Sequence, residues 1–222
     1  MENVLVKNSK NFAARSVVAS VAPSAFNDPL ALETAWTPLK RGGANFQSTK
    51  LHQITPTRWE FRPSSAMKLF SGLFVIIGLG VCISAVTEHW PTAGAEWDRN
   101  FLLLAGFGLL FTFVGAWMGY ATSTPTVFDK DHGYFVKNRK RPEHMVNPST
   151  LKNFAEIRRI HALQLLAEYC MGDKSSYFSY ELNLVLDDGS RLNVIDHGKL
   201  EAVRHEANAL AEFLGKPLWD SI

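Results

Sequence analysis

The stretch "KLFSGLFVIIGLGVCISAVTEHW", residues 68–90, decides the class of this protein. From Leu69 to Val86 it carries no charged side chain. At 1.5 Å of helical rise per residue those positions cover roughly 27 Å, close to the hydrocarbon thickness of a bilayer. A second uncharged stretch, "FLLLAGFGLLFTFVGAWMGY", opens at Phe101 and runs to Tyr120. A soluble bundle helix would show polar residues recurring on one face, and here only Ser71, Ser84 and Thr112 interrupt. The expectation is a transmembrane helical hairpin over residues 67–121, with spans at about 67–87 and 101–121. Mean hydropathy near zero conceals this, because the local window and not the average sets the membrane class.

Charge next to the spans gives an orientation. Arg58, Arg62 and Lys68 precede the first span, and Lys130, Lys137, Arg139, Lys140 and Arg141 follow the second. The connecting loop holds Arg99 among Glu88, Glu96 and Asp98. Positive residues remain on the cytoplasmic side, so both termini are expected to be cytoplasmic in a multi-pass protein of the bacterial inner membrane. Trp90 and Trp97 at one mouth, and Trp117 and Tyr120 at the other, suit the two interfaces. Small residues at matching depths, Gly80 and Ser84 with Ala105 and Gly108, and Gly72 with Gly115 and Gly119, are expected to let the two backbones pack closely. With no ionisable residue inside either span, transport by one pair is not expected. The pair reads as an anchor in the lipid bilayer, with outward faces open to partner helices or to a second copy of the chain.

The lead is expected to divide into a disordered tail over residues 1–30 and a cytosolic β-hairpin segment over 31–66. "MENVLVKNSKNFAARSVVASVAPSAF" lacks the continuous apolar core of a secretory signal. Short strand-like runs around 44–51 and 58–61 flank "TPT", and they can either pair with the later strands or stand alone.

Residues 122–222 read as an α+β domain. Val127, Phe128, Tyr134, Phe135 and Val136 flank turn formers at Asp129–Gly133. "FAEIRRIHALQLLAEYC" fits helix and strand equally. In "YFSYELNLVLDDGSRLNVIDHG", Phe178, Tyr180, Leu182, Leu184 and Leu186 alternate with Ser179, Glu181, Asn183 and Val185 around an Asp-Asp-Gly-Ser turn, so a half-buried antiparallel hairpin is expected. Leu200, Val203, Ala207, Leu210 and Leu214 then form one apolar stripe, with Glu201, Arg204, Glu206 and Glu212 opposite, closed by Gly215 and Pro217. The fold class is thus a membrane α-helical hairpin plus an α+β cytosolic domain, its antiparallel sheet packed by one C-terminal amphipathic helix.

"FDKDHGYF", "EIRRIHALQL" and "EANALAEFLGKPLWD", in this order after a two-helix hairpin, resemble bacterial two-helix membrane proteins with a pleckstrin-homology-like cytosolic domain. More distantly, the FD-x-x-x-G and A-x-x-L-A-x-FL-x-x-P stretches are similar to those of the photosystem I assembly protein family, over residues 67–220; the lead with "WTPLKRGGANF" has no counterpart there. Neither stretch is a catalytic signature. The resemblance implies a PH-like binding or scaffolding module with a protein partner.

Chemistry-bearing candidates are few. Cys82 and Cys170 have no metal-ligand spacing. Asp196 and His197 at a strand end could be an oriented acid-base pair, although Asp196 as a helix cap explains them as well. Asp129, Asp131, His132 and His144 match no fixed ligand set, and Asp is common in turns. No nucleic-acid partner, cofactor or metal is expected. The functional expectation is a non-enzymatic inner-membrane protein whose cytosolic domain binds or scaffolds a protein partner; the alternative is a membrane-embedded immunity protein that neutralises a toxin.

Overall fold

A computed structural model describes residues 21–89, 98–171 and 175–222. Trp90, Trp97 and residues 1–20 lie outside the described residues.

Two strands, β1 (Thr49–Gln53) and β2 (Arg58–Pro63), form a hairpin that leads directly into helix α2 (Ser65–His89). Ser64 makes the junction: its hydroxyl accepts the N–H of Met67 at 3.1 Å and donates to the carbonyl of Gln47 at 2.8 Å. That satisfies one of the amides a helix start leaves open. Helix α3 (Arg99–Thr122) returns and releases β3 (Thr126–Asp129) and β4 (Tyr134–Lys137). β2 and β3 are antiparallel neighbours, with Phe61 opposite Thr126 and Arg58 opposite Asp129. The helical pair is therefore an insertion between adjacent strands of one sheet, ordered β1-β2-β3-β4-β5, with β5 at Phe154–Glu156. This answers how the lead and the later strands are related. It also defines a helix-proximal end of the sheet, at Pro63 and Thr126, and a distal end, at Arg58 and Asp129.

Both helices are long and apolar enough to cross a membrane, and only 17% and 11% of their most apolar windows are buried. A core helix of a soluble protein would be largely covered; here Leu69, Ile76, Ile83, Leu103, Leu109 and Phe113 face outward. The helices meet along Ser71, Phe74, Gly78, Cys82 and Ala85 on α2 and Phe101, Ala105, Gly108, Thr112, Gly115 and Gly119 on α3. A Cβ on Gly78 would run into Thr112 and the carbonyl of Gly108, and one on Gly115 into the backbone of Ser71 and Val75, so these glycines set the approach. The seam repeats every three or four residues, as left-handed helix pairing requires. Of the small residues expected there, Ala105, Gly108, Gly115 and Gly119 take part. Gly72 and Gly80 do not: a Cβ at either meets open space. Ser84 donates along its own helix to Glu88 at 3.1 Å. The expected depths agree, but α2 is rotated so that Ser71, Gly78 and Cys82 supply the contact.

A second, four-stranded sheet has the order β8-β7-β6-β9, from β6 (Ile160–Met171), β7 (Ser176–Leu186), β8 (Arg191–His197) and β9 (Leu218–Asp220). "ALQLLAEYC" is thus strand. The domain has two sheets where one was expected, and β9 pairs parallel to β6, so the second sheet is not purely antiparallel. The core lies between them: Phe61, Phe128 and Phe135 meet Leu163, Leu165, Leu182 and Leu184, and α4 (Leu200–Leu214) closes it with Val203, Ala207, Leu210 and Leu214.

The other face of the second sheet is covered as well, where solvent was expected. Residues 22–46 cross it as a strap, with a short helix α1 (Pro29–Glu33) capped by Asp28. Residues 23–30, read as tail, are therefore folded. Phe26, Trp36 and Trp219 cluster over Ala31, Ala162 and Val185. The strap's backbone bonds to polar side chains of the sheet: Glu181 accepts Leu39 and Lys40 N–H at 2.8 Å each, Glu168 accepts Gly42 N–H at 3.0 Å, and Gln164 donates to Ala35 at 3.1 Å. Ser179, Glu181 and Asn183 are consequently buried, and the β7–β8 hairpin is covered on both faces.

Candidate functional site

Among the described residues, the distal end of the five-stranded sheet gathers the largest set of interacting charges. The β3–β4 turn begins at Asp129, whose Oδ1 accepts the backbone N–H of His132 at 3.0 Å, a bond that nucleates the turn, and Gly133 completes it with φ at +71°. Register places Arg58 directly opposite Asp129. The Arg58 guanidinium donates to Asp129 Oδ2 at 3.1 Å, Glu60 Oε1 at 2.9 Å and Glu143 Oε1 at 3.5 Å, while Arg62 grips the other oxygen of Glu60 at 2.9 Å. Glu143, from the turn Pro142–His144, also accepts the hydroxyl of Tyr134. A continuous lattice thus runs from Arg62 through Glu60 and Arg58 to Asp129, Glu143 and Tyr134.

The titrations follow this geometry. Burial alone would raise Asp129, Glu60 and Glu143, but hydrogen bonds and charge from His132, Arg58, Arg62 and Tyr134 outweigh it, and all three carboxyls lie below their usual range. Burial and the Glu143 carboxylate push the Tyr134 hydroxyl up. The carboxylates stay ionised and the phenol stays protonated across the physiological range.

Beside this lattice opens a groove of about 690 Å³. Tyr134, Pro142, Pro148, Phe154 and Ile157 give it an apolar lining, and His132, Glu143, Glu156 and Arg158 a charged rim. Donor atoms of Asp129, His132 and Glu143 lie within 4.8 Å of one another, near enough to share a cation. Arg58 already supplies that cation, since its guanidinium contacts both carboxylates, and a metal would have to displace it. The donor set therefore does not fit a resident metal. Of the four residues considered as ligands from sequence, Asp129 and His132 come together, Asp131 accepts the Thr57 hydroxyl at 2.6 Å, and His144 stays outside.

Asp196 and His197 are not brought together as an acid-base pair. They alternate on β8, so their side chains leave on opposite faces. Asp196 lies 4.0 Å from Lys40, and His197 is fully buried, with Nε2 3.5 Å from Glu206 and Nδ1 accepting the Lys199 N–H at 3.3 Å. The residue before α4 is Lys199, with no side-chain cap, so Asp196 does not cap the helix either. Glu206, expected on the exposed face of α4, is buried. Sequence reading missed Arg58, Glu143 and Glu206 as members of a site; Arg58 comes to Asp129 only through the β2–β3 register, across the inserted helices.

The chain matches no family model, no curated protein and no solved structure among known proteins.

Proposed function

We propose that this is a non-enzymatic integral membrane protein of the bacterial inner membrane, multi-pass with both termini cytoplasmic, whose PH-like cytosolic domain binds a segment of a protein partner. The observation that carries this reading is the placement of the groove. It lies at the end of the sheet farthest from the two apolar helices, where a partner in the aqueous phase can reach it without meeting the bilayer. An apolar lining with a charged rim is the composition of a peptide- or protein-binding cleft. The sheet that connects β2 to β3 holds the cleft at a fixed height above the helices, so the helices act as an anchor and the lattice of Arg58 and Glu143 as a rigid wall. The basic residues flanking α2 and α3 support the cytoplasmic placement. The PH-like assignment rests on two sheets closed by a C-terminal helix together with the quoted motifs.

A photoreactive side chain in place of Arg158, on the groove rim, is expected to capture a discrete protein in intact cells. Capture should disappear when Ile157→Glu is added to the same chain, and the same probe at Lys199 should capture nothing comparable. Equal capture at both positions, or capture indifferent to Ile157→Glu, excludes the groove as a docking site. A cytoplasm-dependent reporter fused after Ile222 should be active; an inactive one overturns the orientation.

A further inference from the structure

We propose that the helix-proximal end of a second groove, along the face of the five-stranded sheet, holds the phosphate of an anionic phospholipid headgroup. This rests on the membrane-spanning reading and is independent of docking at the distal groove.

The cavity, about 160 Å³, runs along the face of the sheet past Arg58, Glu60 and Tyr134, and its helix-proximal end is formed by Arg62, Pro125 and the segment Asn138–Pro142 that leaves β4. Its depth is fixed by Arg139. That guanidinium stacks 3.8 Å from the centre of the Tyr120 ring, donates to the Tyr120 carbonyl, and reaches Ser123 Oγ at 3.3 Å. Tyr120 is in the last turn of α3, so the groove lies where the apolar helix ends, at headgroup level.

The charges there do not cancel. Arg58 is balanced by Asp129 and Glu143 as well as by Glu60, Arg62 has only its share of Glu60, and Arg139 is held by the end of α3. Lys140 and Arg141 are exposed, and among the described residues no hydrogen bond or ion pair engages their side chains. Both oxygens of Glu60, the carboxylate that lines the groove, are taken by Arg58 and Arg62, so two free cations beside Arg62 leave a surplus of donors there. A phosphodiester offers what is lacking, a single negative charge with two unbridged oxygens that match a guanidinium fork. Inorganic phosphate has the same chemistry; lipid is assigned because the bilayer presents it at this height, at high local concentration.

The test uses the full chain reconstituted in nanodiscs of mixed phosphatidylglycerol and phosphatidylcholine, extracted mildly, with retained lipids counted by native mass spectrometry. The wild type should retain phosphatidylglycerol in preference to phosphatidylcholine. Lys140→Gln with Arg141→Gln should reduce that retention roughly tenfold, while Lys130→Gln, whose ammonium stacks on Phe213 at the distal end, should leave it unchanged. Absence of a preference, or a double variant that retains as much as the wild type, overturns the site. Displacement of the lipid by millimolar inorganic phosphate, with a phosphate adduct lost in the same double variant, overturns the lipid assignment in favour of soluble phosphate. A chain that fails to enter nanodiscs overturns both this site and the spanning reading, and so separates the two failures.

Discussion

The Glu206 carboxylate of α4 accepts the backbone N–H of Leu51, in the middle of β1, at 3.1 Å. The same oxygen accepts the Gln47 side chain at 3.2 Å, and the second oxygen faces His197. One buried acid thereby ties the strand that precedes the helical pair to the helix that ends the chain. Glu206→Leu strands these donors, each at a cost of about 1–3 kcal/mol, whereas Glu206→Gln keeps an acceptor and should retain most of the stability. Glu212→Lys, on the exposed side of α4, should be silent. Thermal unfolding in detergent distinguishes them, and equal melting of the Leu and Lys variants would discount the bond. His197→Gln belongs with the stability variants, because the ring is fully buried.

The strap depends on Glu181 in the same way. Both carboxylate oxygens are used by consecutive amides, Leu39 and Lys40. Glu181→Leu should raise amide exchange at those two residues and at Gly42 without a comparable rise in β3 or β4, since local opening is governed by the bonds lost locally. Exchange that rises uniformly over the domain would mean that the strap is integral to the global core and does not open by itself.

The sequence foretold part of this arrangement. The alternation from Phe178 to Leu186 identified β7 because one face is apolar, but Glu181 and Asn183 carry the same signature whether they meet water or a covering strap. What covers them is main chain, 142 residues away in the case of Glu181 and Leu39, and a backbone donor leaves no mark in side-chain composition. The two long apolar helices were legible because length and apolarity suffice. Their seam was not, because Gly72, Gly78 and Gly80 are chemically identical and only the rotation of α2 selects among them. Asp129 and His132 were visible as a turn; Arg58 joins them through register across the inserted helices, which pattern cannot reveal. β9 is three residues long and too short to announce itself.

The rotation of α2 gives a direct contrast. Gly108→Ile would force its side chain into Cys82 and the Gly78 carbonyl, a clash that overpacking estimates put at about 1–3 kcal/mol. Gly80→Ile points into open space and should cost little, and the added apolar surface suits a lipid environment. Melting in mild detergent, or resistance of the helical pair to dissociation in harsher detergent, should fall for the first and hold for the second. The opposite order would place α2 in the orientation first expected from Gly80 and Ser84.

Lys137 carries the last expectation. Its ammonium crosses from the five-stranded sheet to the other, donating to Asn193 Oδ1 at 2.7 Å and the Val194 carbonyl at 2.8 Å. Burial and the nearby Lys40 push it down to about 8, against the pull of Asp196 and Glu181. In the unfolded chain it titrates near 10.5. Between about pH 8 and 10.5 the unfolded state therefore binds more protons than the folded state, and stability from this group rises with pH across that window and is flat below it. Lys137→Met removes the titration along with the two bonds, so its stability should lack that rise. The wild-type minus variant difference in unfolding free energy, measured by denaturant titration at pH 7, 8, 9 and 10, should grow with pH. A difference that shrinks or stays level would mean that the ammonium is at least as stable between the sheets as it is in water.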